Sequence, residues 1–340
     1  MVEFSQNVQV SEIDTDAPVA VDAHHNHQTD VSSSSEDSAS EAESNLAANF
    51  DDDETSIELM HSRLRSLDPL GLARFTRLEY LGLRQNLIVD LAPLSCLTRL
   101  KELDLYDNRI KRVHGLETMT QLTSLDLSFN KIRRIENIDS LVMLSEVFFV
   151  SNKIQTIENL SRLTQLRSLE LGANRIRRIQ GLDALASLEE LYLGKNKIAK
   201  LENLEKLTRL RILSIQSNRI TKMEGLEQLA NLRELYLSHN GIETIEGLEN
   251  NAGLVVLDVT SNRIAELGGI RHLDALEDLW ASGNRLASFE NIEQECGAVG
   301  ALRTVYFEFN PVQRAQPANY RRKLMMMLPQ VTQIDAAPCR

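Results

Sequence analysis

Eleven positions in this 340-residue chain could do chemistry because they recur: Gly82, Asp104, Asp126, Phe148, Glu170, Tyr192, Ser214, Tyr236, Asp258, Trp280 and Tyr306. The first ten stand 22 residues apart, and Tyr306 follows after 26. Four of them are carboxylates and five are aromatic, the sole tryptophan included. Two kinds of chemistry suit such a set. Paired carboxylates about 5–5.5 Å apart serve retaining glycoside hydrolysis, and Asp104 and Asp126 would sit about one strand spacing apart. Aromatic anchors, in contrast, carry most of the energy of protein interfaces, and exposed aromatics are seldom left uncovered. An acid–aromatic mixture therefore points to a protein-binding face for a basic partner. The competing structural reading is a ladder of rings stacked across neighbouring strands, which the interspersed acids would interrupt.

Catalysis is the weaker of the two. Nothing around Asp104 or Asp126 raises one carboxyl's pKa selectively, and no water-excluding pocket is implied. His61, His114, His239 and His272 share no repeat position, and there is neither a P-loop nor a Gly-rich dinucleotide motif. The sequence reads as that of a non-enzyme needing no cofactor and no metal.

The elements that must hold these residues follow from their flanks. Each lies between two apolar residues in a line such as Leu100-Lys-Glu-Leu-Asp-Leu-Tyr-Asp-Asn108-Arg-Ile110. The asparagine recurs without a slip at Asn86, Asn108, Asn130, Asn152, Asn174, Asn196, Asn218, Asn240, Asn262 and Asn284, then at Asn310. Between asparagines the apolar residues step by three and close with a step of two, as in Ile110, Val113, Leu116, Met119, Leu122, Leu125 and Leu127. That rhythm is neither an amphipathic helix nor a lone strand. With Leu-x-x-Leu-x-Leu-x-x-Asn-x-Ile at about 20–29 residues it is the signature of a leucine-rich repeat. The fold class is therefore α/β: a leucine-rich-repeat solenoid with a parallel sheet on its concave side and short helices or 3₁₀ turns on the convex side. In each strand the two leucines point inward and the residue between them points out. The asparagine side chain, donor and acceptor at once, can satisfy backbone that the following turn would leave unpaired.

Seven residues after each asparagine stands Gly or Asn, from Gly115 through Asn137, Asn159 and Gly181 to Asn291, with Pro93 the exception. Both tolerate left-handed angles and cap helices, so each is expected to open the convex segment. Asn251 occupies a Leu or Met position and suggests a looser coil. The solenoid is expected over 55–310, in about 11–12 coils. Ile57–Leu67 would be a degenerate first coil with Ser62 in the asparagine position, and residues 311–340 a C-terminal cap with Met325–Met327 in its core.

The charge is unevenly placed. Residues 1–54 hold 14 acids and no Lys or Arg; the remainder balances 35 acids against 37 bases. The segment 1–54 is too polar to offset its chain entropy and is expected to be disordered. His24, His25 and His27 lack a fourth ligand for a metal, and Ser32–Ser35 before Glu36 and Asp37 offers acid-directed phosphorylation sites. Directly after the asparagines come Arg109, Lys131, Lys153, Arg175, Lys197, Arg219, Arg263 and Arg285. With acids such as Glu136, Glu158, Glu202, Glu224 and Glu246 nearby, this ridge reads as a solvated edge and not as a nucleic-acid surface. Cys96, Cys296 and Cys339 show no CxxC spacing. With no signal sequence and no 18-residue apolar run, a reducing compartment and no membrane are expected.

The exact strings narrow the class. Leu81-Gly-Leu-Arg-Gln-Asn86, Leu103-Asp-Leu-Tyr-Asp-Asn108 and Glu234-Leu-Tyr-Leu-Ser-His-Asn240-Gly-Ile, with the ending Asn310-Pro311, Tyr320-Arg-Arg-Lys323, Leu328-Pro329 and Gln333-Ile-Asp335, resemble the leucine-rich-repeat regulatory subunits of protein phosphatase type 1 (regulatory subunit 7, the sds-type mitotic regulators). The likeness spans about residues 57–336. It implies a non-catalytic subunit that binds the phosphatase catalytic subunit through the concave face and controls its activity and localisation, in nucleus and cytoplasm. It further implies a monomer when free and room for a further phosphatase inhibitor protein in a ternary complex. The implied contacts fall on Asp126, Phe148, Glu170, Tyr192, Asp258, Asp278, Trp280 and Tyr306. Tyr192 and Asp278 stand where the family often carries Phe and Glu. The same 22-residue repeat also occurs in cytoskeletal and axonemal scaffolds, which is the alternative function.

Overall fold

The structure is a computed structural model that describes Leu46 and residues 48–339. Most of the acidic segment, with His24, His25, His27 and Ser32–Ser35, lies outside the described residues.

Short strands, one per repeat, line up in chain order as a single fourteen-stranded sheet. It starts with β1 (Ser56–Glu58), β2 (Tyr80–Gly82), β3 (Glu102–Asp104), β4 (Ser124–Asp126) and β5 (Glu146–Phe148). Next come β6 (Ser168–Glu170), β7 (Glu190–Tyr192), β8 (Ile212–Ser214), β9 (Glu234–Tyr236), β10 (Val256–Asp258), β11 (Asp278–Trp280) and β12 (Thr304–Tyr306). The last two, β13 (Gln333–Ile334) and β14 (Ala337–Pro338), belong to the C-terminal end. Every pairing is parallel except the final one, and the register is strict: Leu103 faces Leu125, Val147 faces Leu169, Asp258 faces Trp280. Strands of three residues cannot stand alone. They persist because each coil puts six or seven apolar side chains into one continuous core, where Leu125, Val147, Leu169 and Leu191 are 0% exposed.

The asparagine ladder is visible bond by bond. Asn174 donates from Nδ2 to the carbonyls of Phe149, Leu171 and Gly172 and accepts at Oδ1 from the Ile154 amide, at 2.8–3.2 Å. It thus serves its own coil and the preceding one. Every ladder asparagine from Asn86 to Asn310 repeats this set, and Ser62, in the first coil, bonds only to the Met60 carbonyl.

The convex side is lighter than a helical one. Among the described residues it has 3₁₀ helices at Asp68–Leu70, Leu72–Arg74 and Ala92–Cys96, and an α-helix, α1 (Phe289–Cys296). The coils between them run as i→i+3 turns, such as Met119 N to Leu116 O and Leu122 N to Met119 O. The Gly/Asn position is left-handed in nearly all of these coils, from Gly115 (φ 75°) and Asn137 (φ 58°) to Gly269 (φ 64°). Its role is lateral, not capping. Asn137, Asn159, Asn203 and Asn291 donate to the carbonyl 24 residues earlier, and a Cβ on Gly181 would lie 2.7 Å from that same carbonyl, on Ile157. Ser288, not Asn291, caps α1.

Two other expectations change. Asn251 does not loosen its coil: it is fully buried and donates to the Leu229 carbonyl at 2.8 Å and Leu226 at 3.3 Å, while its Oδ1 has no partner. At the end of the chain, α2 (Pro311–Ala315) and α3 (Tyr320–Met327) close the stack with Tyr320, Leu324 and Leu328. Met325 and Met326 are exposed, at 39% and 73%, because the inward stripe of this two-turn helix is already filled by Tyr320 and Leu324. No helix among the described residues is long and apolar enough to cross a membrane.

Candidate interaction face

The strand's period of two leaves both end residues of each three-residue strand on the outer sheet face. The face therefore carries two columns. One holds the eleven positions of the sequence reading, extended at its start by Glu58 in β1. The other runs through Tyr80, Glu102, Ser124, Glu146, Ser168, Glu190, Ile212, Glu234, Val256, Asp278 and Thr304. Of this second column the sequence analysis singled out only Asp278; the same alternation would have found the rest.

The named residues form two groups and a link. At one end, Tyr236, Trp280 and Tyr306 make a cluster of rings, with centroids 6.1 Å apart for Tyr236–Trp280 and for Trp280–Tyr306. The first pair spans two strands, passing over Asp258, which is only 7% exposed and accepts from the Thr260 amide at 2.9 Å. Ring packing is thus real but local. Gln333 donates to the Tyr306 hydroxyl at 2.8 Å and steadies the outer ring, while the Trp280 Nε1 is buried without a partner.

At the other end lie the carboxylates. Asp104 and Asp126 face each other in register. Each spends one oxygen on its own strand's exit turn, Asp104 on the Tyr106 amide at 3.0 Å and Asp126 on the Ser128 amide at 2.8 Å. Arg84 pairs with Asp104 at 3.2 Å and lies over the Tyr106 ring, which in turn touches Phe129 at 4.8 Å. Asp126 makes no ion pair among the described residues; burial pushes its carboxyl above the usual range, helped by the nearby Asp104 and only partly offset by Ser128 and the more distant Arg84. The Glu170 carboxyl, two coils on, is raised by burial and by the charge of Asp126, and accepts no hydrogen bond among the described residues. Phe148 sits between these two acids and stacks on no other ring.

Tyr192 links the groups. Its hydroxyl donates to Glu190 at 3.2 Å, as Tyr236 does to Glu234 at 2.7 Å and Tyr80 to Glu58 at 2.7 Å. Burial and the adjacent glutamates raise all three phenols, Tyr80 to about 12. The middle of the face is therefore half-buried, negatively charged and short of cations.

Comparison with known proteins fits this geometry. A family model of leucine-rich repeats (two copies) matches residues 98–140, 186–228, 208–250 and 230–272. An internalin from Listeria monocytogenes str. 4b F2365 superposes over 88% of this chain and 90% of its own, with TM-score 0.75 at 21% identity. The chain has the leucine-rich-repeat fold. A leucine-rich-repeat protein of Leptospira interrogans also superposes over 80% of this chain and 81% of its own, with TM-score 0.59 at 23% identity. At those identities the likeness to both structures is one of fold. Closer matches in sequence are short. The protein phosphatase 1 regulatory subunit SDS22 of Schizosaccharomyces pombe is 60% identical over 35 residues, 10% of either chain. Its Caenorhabditis elegans homolog is 59% identical over 39 residues, 12% of either. The matched stretches thus span only about a tenth of those curated relatives. In this leucine-rich-repeat solenoid, as in any solenoid, the outer sheet positions are the ones the core does not dictate.

Proposed function

We propose that this protein is a non-catalytic regulatory subunit that binds the catalytic subunit of a type 1 serine/threonine protein phosphatase through its concave sheet face. The observation that carries the reading is Glu170 near Asp126, with Phe148 between them: half-buried acids in no ion pair among the described residues, next to an unstacked ring, on a face with an aromatic cluster at its end. A partner that supplies basic side chains and an apolar surface would answer both. The short SDS22 matches favour the phosphatase as that partner. On this reading the contacts are Asp126, Phe148, Glu170, Tyr192, Asp258, Asp278, Trp280 and Tyr306. Tyr236 extends the ring cluster, and Asp258 works mainly by holding the turn beneath it. Action in nucleus and cytoplasm, with a further inhibitor protein able to join the complex, belongs to the same proposal.

The test is co-purification of the catalytic subunit with Trp280→Ala and Glu170→Ala variants. Truncating central aromatic anchors typically costs about 2–4 kcal/mol of binding, so capture should fall more than tenfold while the circular dichroism spectrum stays native. Undiminished capture by both variants would remove the proposal.

A further inference from the structure

The bases that follow the ladder asparagines are not neutralised as the nearby glutamates suggested. Four of the five glutamates are committed elsewhere: Glu136 pairs with Arg112 at 3.2 Å, Glu158 with Arg134 at 3.1 Å, Glu202 with Arg178 at 3.0 Å and Glu224 with Lys200 at 3.5 Å. Among the described residues Arg109, Lys131, Lys153 and Arg175, on four successive coils, make no ion pair and no side-chain hydrogen bond, and neither do Lys111 and Arg133 beside them. All six are exposed or half-exposed. Coils repeat every ~4.8 Å along the sheet, so six uncompensated cations share one edge about 15 Å long. Such an edge attracts a polyanion, and the body of the molecule offers none.

The chain itself does. Residues 1–44 carry ten of the 14 acids in the N-terminal segment and no Lys or Arg. The described end of that segment already lies on the solenoid. Leu46 and Phe50 pack against the core, Asp52 pairs with Arg74 at 2.6 Å and Asp53 with Arg77 at 3.7 Å. Glu36, Asp37, Glu41 and Glu43 are three to ten residues before Leu46, within a chain reach of about 10–35 Å at ~3.4 Å per residue. The edge begins two coils after β1, about 10 Å along the stack. It follows the strand exit, whereas Arg74 and Arg77 precede the strand. The segment must therefore also cross the coil, and the acids farthest from Leu46, Glu36 and Asp37, are the ones best able to reach it.

We propose that this basic edge is the docking site of the chain's own acidic N-terminal segment, held by charge. The sheet face stays open to a partner, and the segment screens the edge from other polyanions. The proposal is independent of the phosphatase reading.

Zero-length carbodiimide coupling on the full chain tests it, since the reagent joins carboxylate to amine only in contact. Expected are bonds from Glu36, Asp37, Glu41 or Glu43 to Lys111, Lys131 or Lys153, formed within one molecule when ¹⁵N-labelled and unlabelled protein are mixed, and lost in 1 M NaCl. Equal coupling to Lys206 and Lys323, or coupling only between molecules, would overturn it. A second measurement uses a fluorescent decaglutamate probe. The full-length variant Glu36→Gln, Asp37→Asn, Glu41→Gln, Glu43→Gln should bind it at least fivefold more tightly than the parent. The added change of Arg109, Lys131, Lys153 and Arg175 to Gln should abolish that gain. Equal probe affinity in parent and neutralised variant contradicts the proposal.

Discussion

Glu170 shows how a single residue can cost the free protein stability, a cost that a basic partner would offset on the proposed reading. Its carboxylate is buried enough to sit above the ordinary 4.5 and has no cation or donor to offset this. The folded form holds the proton more tightly than the unfolded chain does. The free protein therefore gains stability as pH falls through the raised pKa, and the ionised group is a burden above it. A basic partner reverses the preference, because it favours the charged form. Glu170→Gln should leave the melting temperature unchanged or slightly higher while weakening partner binding by about tenfold. Binding in the acid range just above 4.5 should release protons, seen as buffer-dependent heat in calorimetry; buffer-independent heat would contradict the assignment. Asn251 makes the contrasting residue-scale case. Its unpartnered Oδ1 sits in apolar core, where an unmet acceptor costs about 1–3 kcal/mol. The equivalent carbonyls have no side-chain partner in most coils where Leu or Met fills this position, the Leu248 carbonyl, which meets the His272 ring at 2.9 Å, being the exception. Asn251→Leu should raise stability by about 1 kcal/mol in urea unfolding.

Within one coil, two positions combine left-handed backbone with close packing, for different reasons. At the Gly/Asn position the neighbouring coil comes too near for most side chains. Gly181→Ala would place a Cβ 2.7 Å from the Ile157 carbonyl at φ 70°, and should cost at least 1 kcal/mol. Gly268→Ala, with nothing within 4 Å and no positive φ, should be neutral by the same measurement. The sequence signalled that position plainly, because only Gly and Asn fill it in most coils. The residue before each ladder asparagine gave no such signal. From Gln85, Asp107, Phe129, Ser151, Ala173 and Lys195 to Ser217, His239, Ser261, Gly283 and Phe309 its type is mixed, yet φ is positive, 53–64°, at every one. Non-glycine residues lose about 1–2 kcal/mol there. They tolerate it because their amides donate to the next coil, as Phe129 does to the Val150 carbonyl at 2.7 Å.

Across the whole molecule, a solenoid is a stack whose ends must be closed. At the C-terminal end, β13 pairs with β12, and Asp335 accepts from the Phe307 and Glu308 amides at 2.9 and 3.1 Å. Asp335→Ala should cost about 2 kcal/mol by leaving those amides unpaired. Removing residues 311–340 should do more, uncovering Phe307 and a strand edge and driving aggregation visible by light scattering. If the truncated chain stays monomeric and folded, the cap's role is misread.

The sequence by itself determined the repeat, the strand at Leu-x-Leu, the inward asparagines and the outward column from Gly82 to Tyr306. Each of these depends on spacing, and spacing survives in one dimension. Only the tertiary structure decided what those outward residues touch: rings of Tyr236 and Trp280 closing over Asp258, carboxylates of Asp104, Asp126 and Asp258 turned to their own exit turns, glutamates of one edge claimed by Arg112, Arg134 and Arg178. Those outcomes depend on which side chain in the next coil is nearer by an ångström or two. A period of 22 residues brings every candidate into range, and packing chooses among them.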